Sequence, residues 1–196
     1  MSRIRTHTNP LALQHNWRQC SLNLLFDQIN NLDVEIGFGR GVFINKWSLA
    51  HPERKVIGIE IRKSLVHEKL KNNCLENLKL FNTNAIFFIK NGLENNMIDK
   101  LFIFHPDPWF KNRHKKRKVI TDENVALFKK KLKQNGKIYI STDVVQNWDC
   151  FYNCFVNQGF VEVRNDPFWS ESYQTHWAKF TIKINKEFKF ATFRKN

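Results

Sequence analysis

Val34-Glu35-Ile36-Gly37-Phe38-Gly39-Arg40-Gly41 is the stretch from which the rest of the chain is read. Val34 to Ile36 reads as a short strand that runs into a glycine-rich turn. The amphipathic stretch Val42 to Ala50 follows as a helix and stops near Pro52. A strand, a glycine turn and a helix in succession open a βαβ unit, and the pattern repeats downstream. Lys55 to Ile61 reads as a buried strand and Ser64 to Leu75 as the next helix. Leu78 to Thr83 gives a third strand, with Ile86 to Lys90 a short helix behind it. Leu101 to Phe104 is a fourth strand, ended by the prolines of His105-Pro106-Asp107-Pro108. Thr121 is placed to cap a helix that runs to about Gln134, Asn135-Gly136 closes it, and Lys137 to Thr142 is a fifth strand.

After Gly159 the pattern changes. Phe160 to Arg164 and Trp177 to Ile184 alternate like strands, and Phe188 to Phe193 is a further candidate. The expected fold class is therefore α/β: a doubly wound, Rossmann-like sheet, mostly parallel, with an antiparallel C-terminal hairpin and helices on both faces. One domain over residues 31–196 is expected, with residues 1–30 forming an arm and a helix near Trp17 to Ile29 that belong to it.

Composition narrows the function classes. Of 196 residues, 42% are hydrophobic and 14% aromatic, which suits a folded globule. The longest apolar runs, Leu101 to Phe104 and Ala85 to Ile89, are too short to span a bilayer. Met1-Ser2-Arg3-Ile4-Arg5 has no apolar stretch behind it, so no secretory signal is expected. The expected location is the cytoplasm or an organelle stroma or matrix. Lys and Arg total 32 against 18 Asp and Glu, a net charge of +14. Such a field concentrates polyanions, and nucleic acid is the leading partner. A solvated basic surface is the bland alternative; an anionic membrane lacks a basic amphipathic helix to support it. Cys20, Cys74, Cys150 and Cys154 offer no second pair of ligands beside Cys150 and Cys154, so reduced thiols and no metal are expected.

Ligands in such folds sit beyond the carboxyl ends of the strands. The glycines allow close backbone approach, and NAD-binding folds use a similar G-x-G-x-x-G loop. Two details favour S-adenosylmethionine (SAM): the spacing G-x-G-x-G over Gly37, Gly39 and Gly41, and Glu35 before the first glycine. That carboxylate suits a cationic sulfonium and amino group and would repel a pyrophosphate. Glu60, about twenty residues on, can accept both hydroxyls of a ribose, for either cofactor, or be a surface carboxylate. Asn84 can bond an adenine edge or simply form a turn.

At the fourth strand's end, prolines on both sides of Asp107 restrict its backbone. A carboxylate held there beside Trp109 suits a planar nitrogen heterocycle, with the ring as stacking surface. The alternative is a turn cap and a space-filling ring. Lys111-Asn112-Arg113-His114-Lys115-Lys116-Arg117-Lys118 then places six Lys or Arg and a histidine in eight positions. Beside an active site, that run would grip phosphates flanking a target base; the alternative is a solvated charge run.

Pro106-Asp107-Pro108-Trp109-Phe110-Lys111 with Arg113-His114-Lys115-Lys116-Arg117 resembles the signature of bacterial tRNA (guanine-N7-)-methyltransferases, the TrmB family. Further matches are Arg5 to Leu11, Glu35 to Gly39, Gly58-Ile59-Glu60 and Thr142-Asp143. The resemblance implies a class I methyltransferase fold and transfer of a methyl from SAM to N7 of a variable-loop guanine, position 46 of tRNA. It implies that Glu35, Gly37, Gly39, Glu60, Asn84 and Asp107 form the SAM site, with Asn84 standing where many members have Asp. Asp107 would also serve the reaction centre. Lys111, Asp143 and Thr175 would contact substrate, and Arg113, His114, Lys115, Lys116, Arg117 and Lys118 would lie on RNA. The family's T-x-[FY]-E element reads Thr175-His176-Trp177-Ala178, with Ala178 in place of Glu. The implied partner is tRNA, with no obligatory protein partner and a monomer or homodimer as the assembly. The rival expectations are a non-catalytic tRNA-binding relative, motivated by Ala178; a nicotinamide-dependent oxidoreductase, motivated by the glycine loop; and a methyltransferase of another RNA or of DNA. Adenine amino methylation goes with an N/D-P-P-Y/F motif, which Pro106-Asp107-Pro108-Trp109 is not.

Overall fold

The computed structural model describes residues 9–13, 26, 30–71, 74–109, 112–176, 178, 180 and 186–196. Within them run β1 (Leu32–Ile36), α1 (Val42–Ala50), β2 (Lys55–Glu60), α2 (Lys63–Lys71), β3 (Leu78–Asn82) and α3 (Ala85–Gly92). There follow β4 (Ile98–Phe104), α4 (Asp122–Lys131), β5 (Leu132–Thr142), α5 (Trp148–Asn157), β6 (Phe160–Glu162), α6 (Phe168–Glu171) and β7 (Lys189–Lys195). The seven strands form one sheet in the order β3-β2-β1-β4-β5-β7-β6. β1 to β5 pair in parallel, whereas β7 inserts antiparallel between β5 and β6. The expected doubly wound sheet with an antiparallel ending is what the chain forms. Among the described residues no helix is long and apolar enough to cross a membrane.

Both faces of the sheet are covered, which is why its strands are apolar throughout rather than alternating. On β4, Leu101 and Ile103 point into a cluster with Phe88 and Ile89 of α3, Val125 and Phe128 of α4, and Phe151 and Phe155 of α5. Phe102 and Phe104 point the other way, against Phe43, Ile44 and Trp47 of α1, Val66 of α2 and Phe168 of α6. Aromatic edges tie this second layer, with Phe43 and Phe102 at 4.8 Å and Phe102 and Tyr139 at 5.2 Å between ring centroids. Asp33 of β1 is fully buried there, bonded by Trp47 Nε1 at 2.8 Å and by Arg54 Nη2 at 2.6 Å. The charge is thus paired and hydrogen-bonded, as a buried carboxylate must be.

Four expectations need correction. The helix expected to reach Gln134 ends at Lys131, and β5 begins at once with Leu132. The carbonyls of Lys130 and Lys131 accept from the backbone N–H groups of Asn96 and Met97, and Leu132 pairs with Ile98. That tertiary ladder overrides the helix propensity of Lys133 and Gln134. The register is interrupted until Lys137 meets Lys100, and Asn135 takes up the excursion at φ 61°. Second, α5 was not foreseen, although Phe151, Cys154 and Phe155 recur at helical spacing; Cys150 lies exposed and Cys154 buried on it. Burial pushes the Cys154 thiol up to about 12, which leaves it an unreactive packing group. Third, the expected strand Trp177 to Ile184 falls largely outside the described residues, and Ala178 and Phe180 within it are helical. Fourth, the helix expected to run to Leu75 is described over Lys63–Lys71, and Cys74 and Leu75 are not helical. The expected N-terminal helix near Trp17 to Ile29 lies outside the described residues except for Phe26, which packs in the core.

Candidate functional site

Strand order reverses between β1 and β4, each of which has its crossover to the opposite side, and a crevice opens at their carboxyl ends. The loop after β1 turns through Gly37 at φ 75° and Gly39 at φ 58°, a region costly to any residue with a Cβ. The N–H of Gly37 continues the pairing of β1 with β2 by donating to the Ile59 carbonyl at 2.7 Å. Across the crevice, the Glu60 carboxylate accepts from the Gly39 N–H at 3.0 Å. Its other donors are the backbone N–H and Nε of Arg62, each at 3.0 Å, and Arg62 Nη2 at 2.9 Å. The cavity so framed holds about 340 Å³, within the range of small-molecule sites. Its wall includes Ile36, Gly37, Glu60, Thr83, Asn84, His105, Asp107 and Trp109.

Glu35 is not on that wall. It pairs with Gly58 and Phe102 in the sheet, and its side chain is 3% exposed. Burial, and after it the charge of Glu60, holds its carboxyl well above the usual carboxylate range. Among the described residues its Oε2 has no hydrogen-bond partner, and neither has the buried Thr83 hydroxyl, which does line the cavity. Of these two atoms only the Thr83 hydroxyl stands at the cavity, where a ligand can supply its partner. Asn84, by contrast, is committed: its Oδ1 caps α3 by accepting from the Phe87 N–H at 2.9 Å, and its Nδ2 donates to the Pro10 carbonyl at 2.8 Å. One amide proton of Asn84 is left for a ligand.

The far end of the cavity is the segment His105-Pro106-Asp107-Pro108-Trp109. His105 at φ 48° and Trp109 at φ 39° bracket it in the left-handed region. Each such residue costs on the order of 1–3 kcal/mol and persists only where its surroundings over-determine it. Here the His105 N–H donates to the Ser141 carbonyl at 2.8 Å, and Asn147 Nδ2 donates to the Pro108 carbonyl at 3.3 Å. Asp107 is thereby held on the cavity wall. Arg117 stacks its guanidinium over the Trp109 ring at 5.1 Å.

The basic run forms a 3-10 helix over Asn112–Arg117, which the sequence did not announce. Lys116, Arg117 and Lys118 line the same cavity as Asp107, and Arg113 is exposed to solvent. Asn124 in the first turn of α4 fixes the run's end by donating to the carbonyls of Lys118 and Val119, at 3.1 and 3.0 Å. Thr121 caps α4 as expected, its hydroxyl accepting from the Asn124 N–H. Lys111 lies outside the described residues, and of His114 and Lys115 only the backbone is described.

Asp143 and Thr175 are buried beside the cavity rather than on its wall. Asp143 Oδ1 lies 3.2 Å from His105 Nδ1, and Oδ2 accepts from Lys186 Nζ at 2.7 Å. His105 Nε2 lies 2.7 Å from the Tyr173 hydroxyl, which in turn lies 2.8 Å from Ser141 Oγ. The Thr175 hydroxyl accepts from the Ala178 N–H at 2.8 Å. Sequence reading missed His105, Tyr173, Arg62, Asn147 and Thr83. Only His105 carried a signal, its place beside the Pro-Asp-Pro turn; Tyr173 is 68 positions away from it. Among the described residues no three His, Cys, Asp or Glu side chains group to hold a metal ion.

The sheet order, the glycine turn and a cavity at the switch point define a class I methyltransferase fold. The likeness extends to solved structures: the 16S rRNA methyltransferase KamB superposes with a TM-score of 0.63 at 12% identity, over 92% of this chain and 94% of that one. The Methyltransf_4 model, which describes a methyltransferase family, matches residues 30–191, and the chain belongs to this family. The tRNA (guanine-N(7)-)-methyltransferase of Aquifex aeolicus (strain VF5) is 39% identical over 119 residues, 59% of this chain and 40% of that protein. The bifunctional methyltransferase of Rickettsia bellii (strain RML369-C) is 30% identical over 155 residues, 77% of this chain and 28% of that protein. The chain therefore spans well under half the length of these two curated relatives. The resemblance to the TrmB family read from the Pro-Asp-Pro-Trp block is borne out.

Proposed function

We propose that the chain transfers the methyl group of SAM to N7 of a guanine in the variable loop of tRNA, at position 46, giving 7-methylguanosine. One observation carries the reading: the carboxylate of Asp107, on a strained turn between two prolines, shares a cavity wall with Lys116, Arg117 and Lys118. A rigid acceptor for a heterocycle thus adjoins cations for the phosphates beside it. The name of the Aquifex aeolicus relative supports the same substrate.

The residues present fit SAM. Gly37 leaves the backbone open on the cavity wall beside the Gly39 turn, Glu60 would hold the ribose hydroxyls, and Thr83 and Asn84 would serve the adenine. The orphaned Glu35 carboxyl lies just behind the glycine turn, where a cationic amino group would complete it. When bound, SAM supplies a methyl group made electrophilic by its cationic sulfur. Guanine N7 already holds a lone pair, so the N–C bond forms as the C–S bond breaks, the sulfur keeps the electron pair, and no proton is removed. The protein's task is positioning. Asp107 orients the base and stabilises the positive charge that develops on it. Lys111 contacts the substrate, Asp143 and Thr175 act on it from behind the cavity wall, and the run from Arg113 through His114 and Lys115 to Lys118 holds the flanking phosphates. Residues 31–196 act as one methyltransferase domain with residues 1–30 as its arm, working in the cytoplasm or an organelle stroma or matrix.

The test is methyl transfer from labelled SAM to unmodified tRNA, with the product nucleoside identified after digestion. Label in 7-methylguanosine is expected. Tight tRNA binding with no label would overturn catalysis in favour of a non-catalytic tRNA-binding role, which Ala178 motivates, and Ala178→Glu would then be tested for restored transfer.

A further inference from the structure

We propose that His105 is a positioning residue, resting on the function proposed above: its imidazole is the spacer that locks the turn carrying Asp107 to Asp143 and Tyr173. The side chain is 4% exposed, and both ring nitrogens are engaged, Nδ1 with Asp143 at 3.2 Å and Nε2 with the Tyr173 hydroxyl at 2.7 Å. It stands on the cavity wall, whereas Asp143 lies behind it, so it is the link between the reaction end and the buried polar cluster.

Its backbone explains why a side chain is needed. A φ of 48° is open to Gly and uncommon for residues with a Cβ, among which Asn, Asp and His enter it most readily. The imidazole offsets that strain with two hydrogen bonds at opposite ends of a rigid ring, which Gly lacks and Asn only half supplies. The polarity of the chain is consistent throughout. Lys186 holds Asp143 Oδ2 and leaves Oδ1 to face the imidazole; with the ring proton on Nδ1, Oδ1 accepts from it. Nε2 then accepts the Tyr173 O–H, and the Tyr173 oxygen accepts the Ser141 O–H. The Thr175 side chain also bonds Tyr173, and the Phe188 ring packs 6.3 Å from the imidazole between centroids. Three separate segments, the turn after β4, the end of β5 and residues 173–175, are set in register by this one side chain.

The experiment compares His105→Gly and His105→Asn, both compatible with the left-handed backbone, for kcat and KM with tRNA, SAM affinity and Tm. His105→Gly is expected to lose at least tenfold in kcat with SAM affinity within threefold, and a Tm lowered by a few degrees through loss of two buried hydrogen bonds. His105→Asn should retain several-fold more than His105→Gly, and added imidazole should restore part of the His105→Gly loss. Wild-type kcat in His105→Gly, or equal losses in the two variants without imidazole rescue, would overturn the proposal. A wild-type protein that makes no 7-methylguanosine overturns the proposed function instead. The positioning claim is then read by nitrogen NMR of histidine-labelled protein: Asp143→Asn must shift His105 Nδ1 and Tyr173→Phe its Nε2, and an unmoved resonance would overturn it.

Discussion

Arg62 and Glu60, two positions apart, form an ion pair at 2.9 Å across the rim of the cavity. With the Gly39 N–H and the Arg62 backbone N–H, the guanidinium fills all four acceptor positions of that carboxylate. A ribose bound there must displace the guanidinium, whose side chain is 38% exposed and free to swing outward.

Arg62→Ala is therefore expected to leave SAM affinity unchanged or tighten it by up to about fivefold, since a partly exposed pair is worth roughly 0.2–1 kcal/mol. Calorimetric titration measures it. Binding more than tenfold weaker would make Arg62 a ligand contact in its own right.

Asp107→Asn keeps the shape of the turn and removes its charge. Loss of one electrostatic contact to developing charge costs on the order of 10²–10³ in turnover. Such a fall in kcat is expected with SAM affinity within about threefold, by labelled-methyl transfer and calorimetry. Near-normal turnover would refute the role.

Glu35 gives a pH signature. Its folded-state pKa lies above the ordinary value of 4.5, so the folded protein binds more protons than the unfolded one over the window between them. The stability this group contributes is complete below pH 4.5 and is lost as pH rises toward the raised value. Glu35→Gln should therefore raise Tm at neutral pH, with the gap closing as pH falls toward 4.5. The ionised form is the one that attracts the SAM amino group, so wild-type affinity should increase with pH across that window and the variant's should stay flat. A wild-type affinity that falls as pH rises would reverse the assignment.

Neutralising Lys116, Arg117 and Lys118 together should weaken tRNA binding and reduce the slope of log affinity against log salt by about 2, at roughly 0.7–0.9 per phosphate contact. Filter binding across a salt series reads it. An unchanged slope would show that these charges do not meet RNA.

Gly58→Ala tests the floor of the site. A Cβ at Gly58 would lie 2.6 Å from Ile44 Cδ1 and Leu80 Cδ2 and 2.9 Å from the Phe38 ring. Overpacking of this kind costs typically ~1–3 kcal/mol, and Phe38 belongs to the glycine loop. A Tm lowered by several degrees and weaker SAM binding are expected together in thermal-shift and titration assays. Unaltered stability would mean that the loop shifts freely.

The sequence by itself determined the sheet and one half of the site. Period, glycine spacing and prolines are local, so β1 with its turn, α1, the strand before Pro106, the Thr121 cap and the dense basic run could be read residue by residue. Where helix and strand propensities nearly balance, as at Leu132 to Gln134, only the pairing of Leu132 with Ile98 chose between them. The same holds for chemistry. Nothing local marks Tyr173, Ser141 or Lys186 as partners of His105 and Asp143, because hydrogen bonds between residues 32 to 68 positions apart exist only once the chain has closed. The tertiary structure also decided the states of the acids. Glu35 and Glu60 read alike in sequence, but burial left Oε2 of one without a partner among the described residues, while the Gly39 N–H and the Arg62 backbone and guanidinium saturated the other. The sequence sets which groups a site can use; dielectric and neighbours, which folding alone supplies, set what those groups can do.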